Sequence, residues 1–218
     1  MTHWKTLTIP RCGALLLAVC AASAACSSNS GSPGAAREAV SSGPVVGPRT
    51  ITGRVPVEPG AFPAIVIFEP DTPNTSPQAT VPFMDQVQQT FIPQILFVRT
   101  GQVVEFHNND EVPHNVRVQD DAKKAPAFNV SIPIGEQFRF VFPHDGFYSV
   151  GCDIHPSMSS QIIATTSGLA AAADPQGQFA IGNVTEGRYT ATVYSGATTI
   201  TKSIVVGTSN EPIDLTHQ

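Results

Sequence analysis

The chain has 218 residues, of which 41% are hydrophobic and only 13% charged, so it has enough apolar material for one large domain or two small ones. Its 19 prolines and 17 glycines favour a turn-rich β protein over a helical one. With 17 acidic residues against 12 basic ones, the formal net charge is −5, which argues against nucleic acid as a partner.

The N-terminus has the pattern of an export signal. Lys5 and Arg11 precede an apolar run over 12–22 that is too short to span a bilayer. The four residues SAAC at 23–26 resemble a bacterial lipobox, with serine where leucine is usual, and Cys26 would then carry the lipid. The alternative is ordinary signal cleavage in the same stretch. We therefore expect an exported protein of the periplasm or cell envelope, with Cys26 as the candidate membrane anchor.

The predicted export signal also determines which of the four cysteines remain in the mature protein. Cys12 and Cys20 lie in the signal and Cys26 lies at its boundary, which leaves Cys152 alone in the mature body. An exported protein with one unpaired cysteine must bury it, lose it to oxidation or bind it to a metal. The neighbours of Cys152 therefore decide its role.

Beyond the signal, residues 27–48 are mostly Ser, Gly, Pro, Ala and Val, which predicts a flexible tether. The runs that follow are rich in β-branched and aromatic residues, and no segment has a 3.6-residue apolar period over three turns, so an all-β fold is expected. Residues 169–173 are interpreted as one short helical turn or an alanine-rich connector. The predicted strands are Ile51–Val57, Ala64–Phe68, Thr90–Val98, Gln102–His107, His114–Val118, Gln137–Phe142, Gly146–Gly151, Gln161–Thr165, Gln178–Ile181, Arg188–Val193 and Thr199–Val206.

The metal-binding chemistry is concentrated at Cys152, His155 and Met158, in the spacing C-x2-H-x2-M. A thiolate, an imidazole and a thioether so close together converge only on a tight loop between two strands, and this donor set suits copper. His114, at the start of a strand after the turn over 108–110, supplies the second imidazole. Two alternatives are a buried Cys, His and Met that fall at this spacing by chance, and a zinc site, although thioether is a poor zinc ligand.

Both loops match a known family. The region over about 91–165 resembles small cupredoxins of the amicyanin and plastocyanin type, through FIP at 91–93, GQVVEF at 101–106, PHNV at 113–116 and the C-x2-H-x2-M loop. The resemblance implies a Greek-key β-sandwich with one mononuclear type 1 (blue) copper site. By it, His114, Cys152 and His155 would form the trigonal plane, Met158 would be the axial ligand, and Asn115 would tie the two loops together by hydrogen bonds.

The other histidines are not expected to bind the metal. His107 ends a predicted strand on the far side of the turn from His114, so we place it at the surface or rim. His144 lies in the turn signature PHDG and is expected to be solvated.

A second resemblance concerns the two ends of the mature body. Asp174–Val184 with Gly187–Val193 resembles the second half of carboxypeptidase regulatory-like β-sandwiches, and Ile51–Val55 with Ala64–Phe68 resembles the first half. Our hypothesis is a small, discontinuous Ig-like sandwich with the cupredoxin inserted in it. The predicted bounds are 1–26 for the signal, 27–48 for the tether, 49–76 with 167–210 for the Ig-like sandwich, and 77–166 for the cupredoxin. The alternative assigns the early strands to the cupredoxin and leaves a C-terminal appendix.

The cupredoxin resemblance implies an electron carrier that is not an enzyme. Its portal would be the edge of His155, ringed by Pro113, Ile154 and Pro156, and its partner another redox protein in transient contact with a monomer. Without the signal, 10 basic residues would face 17 acidic ones, and a net charge near −7 favours a basic partner. The alternative function is a copper chaperone or store, which the same ligands would serve. A multicopper enzyme would need further histidine clusters.

Overall fold

The computed structural model describes residues 47–73 and 80–217, and the predicted signal and almost all of the predicted tether lie outside these ranges. The described residues contain no helix, which confirms the all-β fold class, and accordingly none of them forms a helix long and apolar enough to span a membrane. The strands are β1 Arg49–Arg54, β2 Ile65–Pro70, β3 Phe83–Val87, β4 Thr90–Ile92, β5 Ile95–Arg99, β6 Val103–Asn108, β7 His114–Asp120, β8 Ala125–Ile132, β9 Gln137–Val141, β10 Gly146–Gly151, β11 Ser159–Thr165, β12 Ala170–Ala172, β13 Gln178–Val184, β14 Gly187–Ser195, β15 Thr198–Val206 and β16 Ile213–Asp214.

Four sheets pack into two β-sandwiches. The central sandwich combines a five-stranded sheet, in the order β5-β11-β10-β7-β8, with a four-stranded sheet, in the order β4-β3-β6-β9. The outer sandwich combines the sheets β12-β2-β14-β15 and β13-β1-β16. Each sandwich encloses its own apolar core, one built around Phe106 and Phe142 and the other around Phe68 and Phe179.

The outer sandwich is assembled from both ends of the described chain. Strand β1 pairs antiparallel with β13, where Ile51 lies opposite Ile181. Strand β2 pairs antiparallel with β14, where Val66 lies opposite Val193. This is the pairing that the insertion hypothesis requires, and strands β3 to β11 lie between the two halves in sequence. The exact domain bounds stay a prediction.

Four local expectations were wrong or incomplete. The predicted helical turn or connector at 169–173 is instead strand β12, paired with β2. The single run predicted over 90–98 is two strands, because Pro93 interrupts the ladder and the chain passes from one sheet to the other. Strand β3 was missed because polar Asp85 and Gln86 break its apolar pattern. Strand β8 was missed because it contains Pro126, which its place at the edge of the sheet tolerates.

The two sandwiches meet through a third apolar cluster. In β2, Val66 and Phe68 face the outer core while Ile65 and Ile67 face the central sandwich. On the other side of the junction, Ile163 of β11 joins that cluster, together with Ile95, Phe97 and Phe147. Successive side chains of a strand point to opposite faces of the sheet. Strand β2 is apolar on its two faces because each face is buried against a core.

Truncating the junction tests how much it stabilises the protein. Ile163 is fully buried there, and Ile163→Ala is expected to lower the free energy of unfolding by about 2–5 kcal/mol in a urea titration. Val205→Ala is the matched control, because Val205 is 69% exposed and its loss should change the free energy by less than about 0.5 kcal/mol. Equal effects of the two substitutions would contradict a packed junction.

Candidate metal centre

Two loops at one end of the central sandwich present the candidate ligands. His114 is the first residue of β7, and Cys152 follows directly after the end of β10. These strands are neighbours in the five-stranded sheet, so both residues emerge at the same edge. His155 and Met158 lie in the short loop between β10 and β11, which is closed by a hydrogen bond from Met158 N to His155 O at 2.9 Å.

The donor atoms of three of these residues converge. The Nδ1 atoms of His114 and His155 are 2.9 Å apart. Cys152 Sγ lies 3.9 Å from each of them. His114 and Cys152 are 0% and 2% exposed, whereas His155 is only partly buried. The arrangement is therefore a buried triangle with one corner at the surface.

The triangle has the size of a metal site. Typical bonds from a first-row metal are about 2.0 Å to an imidazole nitrogen and about 2.3 Å to a thiolate sulfur. A point in the plane of the three atoms that is about 2.0 Å from both nitrogens lies about 2.2 Å from Cys152 Sγ, given the 2.9 and 3.9 Å sides. Two imidazoles and a thiolate in a trigonal plane are the equatorial donor set of type 1 copper.

Met158 lies on the buried side of the loop. It is 2% exposed and packs in the central core with Cys152. Its thioether is a soft donor of the kind that binds copper weakly in type 1 sites. Three of the four predicted donors therefore converge at one end of the sandwich, and Met158 belongs to the apolar core that also contains Cys152.

A hydrogen-bond network joins the two ligand loops. Asn115 Oδ1 accepts from the backbone N of Asp153 at 2.7 Å and lies 3.3 Å from Cys152 Sγ. Its Nδ2 donates to the side chains of Asn129, at 2.7 Å, and of Asp153, at 3.0 Å. Hydrogen bonds from Asn129, and then from Arg117, hold the pKa of the Asp153 carboxyl below its usual range. The expected tie between the loops through Asn115 is thus present.

The far side of the His114 ring contacts a carboxylate that the sequence analysis did not single out. His114 Nε2 lies 3.0 Å from Asp110 Oδ2, which also accepts from the backbone N of Gln89 at 2.7 Å. These hydrogen bonds, that of Gln89 first, hold the pKa of Asp110 below its usual range. The only sequence signal was the four-residue spacing between Asp110 and His114, which is uninformative outside a helix.

The remaining histidines of the described body lie apart from this triangle. The ring of His107 stacks on Phe83 with centroids 5.1 Å apart, and its Nε2 lies 3.0 Å from Glu105 Oε2. His144 is exposed, as expected. Across 47–73 and 80–217, the group of three or more potential ligands that converges is His114, Cys152 and His155.

Comparison with known proteins identifies this part of the chain. Residues 82–164 match the family model described as copper binding proteins, plastocyanin/azurin family. This match, with the donor triangle, makes the central sandwich a cupredoxin domain with copper as its metal. The family resemblance thus covers residues 82–164 and concerns copper binding. No curated protein matches it.

Several solved structures align with the same region. A purple cupredoxin from Nitrosopumilus maritimus is 24% identical and covers 38% of this chain and 99% of its own, with a TM-score of 0.35. A point mutant of amicyanin in its reduced Cu(I) form is 17% identical and covers 46% of this chain and 98% of its own, with a TM-score of 0.36. A copper-containing nitrite reductase from Thermus scotoductus SA-01 is 26% identical, with a TM-score of 0.37, but the match covers 44% of this chain and only 25% of the enzyme's.

The tie between the loops is testable without metal. Asn115→Ala leaves the backbone N–H of Asp153 without its acceptor, and it should lower the free energy of unfolding of the apoprotein by about 1–3 kcal/mol. The same substitution should weaken copper affinity by about 10- to 100-fold, as loss of such outer contacts typically does. Both are read by thermal unfolding and competitive metal titration.

Asn129→Ala is the matched control for Asn115→Ala. Asn129 is exposed and hydrogen-bonds to the side chains of Asn115 and Asp153. It takes no part in the hydrogen bond from Asp153 N to Asn115 Oδ1, so its loss leaves that bond intact. Its effects on both quantities should be clearly smaller. Equal losses in the two variants would refute the role given to Asn115.

Proposed function

Starting from a cupredoxin domain over 82–164, we propose that this protein holds one type 1 copper ion and carries single electrons between redox proteins outside the bacterial cytoplasm. In this proposal His114, Cys152 and His155 would hold the ion through two imidazole nitrogens and a thiolate, and Met158 would add a weakly bound thioether. The single observation that carries it is the convergence of two imidazole nitrogens and a thiolate sulfur at 2.9 and 3.9 Å.

The surroundings of the ligands support electron transfer over substrate chemistry. Bound copper would supply a one-electron couple between Cu(I) and Cu(II). His114, Cys152 and Met158 are packed into the core, and the loop that carries Cys152 is tied to β7 through Asn115. Ligands held in this way move little when the charge of the site changes, so each transfer costs little reorganisation.

The electron portal in this proposal is the edge of His155. His155 is partly exposed, whereas the other three proposed ligands are buried. Its neighbours in the loop include Ile154, which is 51% exposed, and the exposed Pro156. Pro113 is exposed on the other ligand loop. A partner can therefore approach His155 over an apolar surface from which water is readily displaced.

Charges around this end favour a basic partner. The turn after β8 abuts the first ligand loop, because Gly135 N donates to Asn108 O at 2.8 Å and Asn108 N donates to Glu136 O at 3.1 Å. This turn adds Ile134, which is 55% exposed, to the apolar surface. Glu111 and Glu136 are exposed at the same end.

Two exposed lysines of this sandwich lie at the end opposite to the ligand loops. Lys123 and Lys124 follow the C-terminal end of β7, and His114 begins that strand. Seven residues of strand separate the two ends by about 20 Å. The proposed partner is therefore a redox protein with a basic rim around its own electron portal, in a small transient contact.

The location proposed for this protein is the periplasm or cell envelope. It rests on the export pattern over 1–26 and on Cys26 as a candidate lipid attachment site. A tether over 27–48 would let the folded body reach partners away from the membrane surface.

The spectrum of the copper-loaded protein tests the proposed site. Wild-type protein should show the intense blue colour and narrow electron-resonance hyperfine splitting implied by a thiolate-copper bond. Cys152→Ser removes the thiolate and should abolish both, while Ser157→Ala in the same loop should leave both unchanged. A blue spectrum that survives in Cys152→Ser would refute the ligand assignment, and a colourless wild type that binds only Cu(I) would indicate copper storage or delivery instead.

The charge of the portal is testable with small redox probes. The reduced protein should transfer an electron to the cation tris(phenanthroline)cobalt(III) faster than the difference in reduction potential alone predicts. The rate constant should fall as the salt concentration rises. The double variant Glu111→Gln/Glu136→Gln should slow the cation several-fold and accelerate the anion hexacyanoferrate(III). Stopped-flow kinetics measure both rates.

A variant with the same change in net charge serves as the control. Glu186→Gln/Glu211→Gln alters two exposed carboxylates of the outer sandwich and its C-terminal segment. It should change neither rate by more than about a fifth of the portal effect. Equal effects of the two double variants would contradict a local acidic rim.

A further inference from the structure

The two nitrogens of His114 face different partners. Nδ1 points into the donor triangle, at 2.9 Å from His155 Nδ1. Nε2 points away from it and lies 3.0 Å from Asp110 Oδ2. The ring is fully buried and the Asp110 side chain is 11% exposed, so this contact is largely shielded from solvent.

The Asp110 carboxylate is held in place on both oxygens. Oδ2 accepts from the backbone N of Gln89 at 2.7 Å and lies 3.0 Å from His114 Nε2. Oδ1 accepts from the backbone N of Glu111 at 2.8 Å. The backbone N of Asp110 donates in turn to Asn108 Oδ1 at 3.1 Å. Backbone hydrogen bonds from Gln89 and Glu111 therefore fix the orientation of this carboxylate.

A tight hairpin turn supplies the Gln89 donor. Gln88 and Gln89 form the two-residue connection between β3 and β4, with Val87 opposite Thr90. Both glutamines have positive φ, 50° and 55°, as both central residues of a type I′ turn do. The hairpin thus brings its backbone N–H against a carboxylate that belongs to the first ligand loop.

We propose that Asp110 is a positioning residue that fixes the ring orientation and tautomer of His114 and lowers the reduction potential of the site. A carboxylate that accepts from Nε2–H keeps the proton there and leaves Nδ1 free as a donor to metal. Its negative charge, carried through the imidazole, favours Cu(II) over Cu(I). The inference rests on the proposed function, because it presumes that His114 Nδ1 binds copper.

The substitution Asp110→Asn removes the negative charge of the side chain and keeps its size and shape. In a redox titration of the copper-loaded variant, the ratio of Cu(I) to Cu(II) at a fixed solution potential should rise about tenfold, which corresponds to about 59 mV for a one-electron couple. Glu111→Gln is the matched control, because it removes one carboxylate charge from the next residue, whose side chain is exposed. It should shift the ratio by less than about twofold. Equal shifts in the two variants would overturn the inference.

A second readout needs no copper. Nitrogen-15 NMR of the metal-free wild type, at a pH where the imidazole is neutral, should show His114 almost entirely as the Nε2–H tautomer. Asp110→Ala should shift a substantial fraction to Nδ1–H, and Asp110→Asn should do so less. An unchanged tautomer in both variants would overturn the positioning role.

The two measurements distinguish a failure of the proposed function from a failure of the role given to Asp110. A wild type without the blue spectrum would count against the proposed function, and the tautomer of the metal-free protein would still test the contact with Asp110. A blue wild type with an unaltered potential in Asp110→Asn would count against Asp110 alone.

Discussion

Two loops that are far apart in sequence must end at one point for this site to exist, and a hydrogen bond from Asp153 N to Asn115 Oδ1 holds them there at 2.7 Å across 38 residues. One loop carries His114 and the other carries Cys152, His155 and Met158. Because β7 and β10 are neighbours in one sheet, the register of their ladder sets how far apart the loops begin. The amide of Asn115 closes the remaining gap, and the donor triangle follows from that closure.

The outer sandwich packs on strands of the central sandwich, and none of the described residues in the junction cluster lies in a ligand loop. Its junction is made through Ile65 and Ile67 against Ile163, on the outer face of the five-stranded sheet. Ser167 reinforces the junction, since its Oγ donates to Glu69 at 3.1 Å. Burial raises the pKa of the Glu69 carboxyl there above its ordinary value. The junction residue Ile163 lies within β11, whereas His155 lies in the loop that precedes that strand.

Spacing in the sequence made Cys152 and His155 recognisable as candidate donors, because a thiolate and an imidazole three residues apart suit a metal-binding loop. His114, 38 residues before Cys152, was recognisable through the family resemblance. Asp110 was not, because its contact depends on the hairpin at Gln88 and Gln89, a type I′ turn without the Asn-Gly or Gly-Gly pairs that would predict it. Strand β3, which leads into that hairpin, was missed for a related reason: its buried Gln86 interrupts the apolar pattern. Polar residues buried for tertiary reasons leave little trace in local patterns.

X-ray absorption at the copper edge of the loaded wild-type protein tests the central claim most directly, because it counts and identifies the atoms bound to the metal. Two imidazole nitrogens at about 2.0 Å and one sulfur at about 2.2 Å from the copper are expected, with a second sulfur absent or at a much longer distance. A first shell of nitrogen and oxygen alone, without the short sulfur, would contradict the central claim.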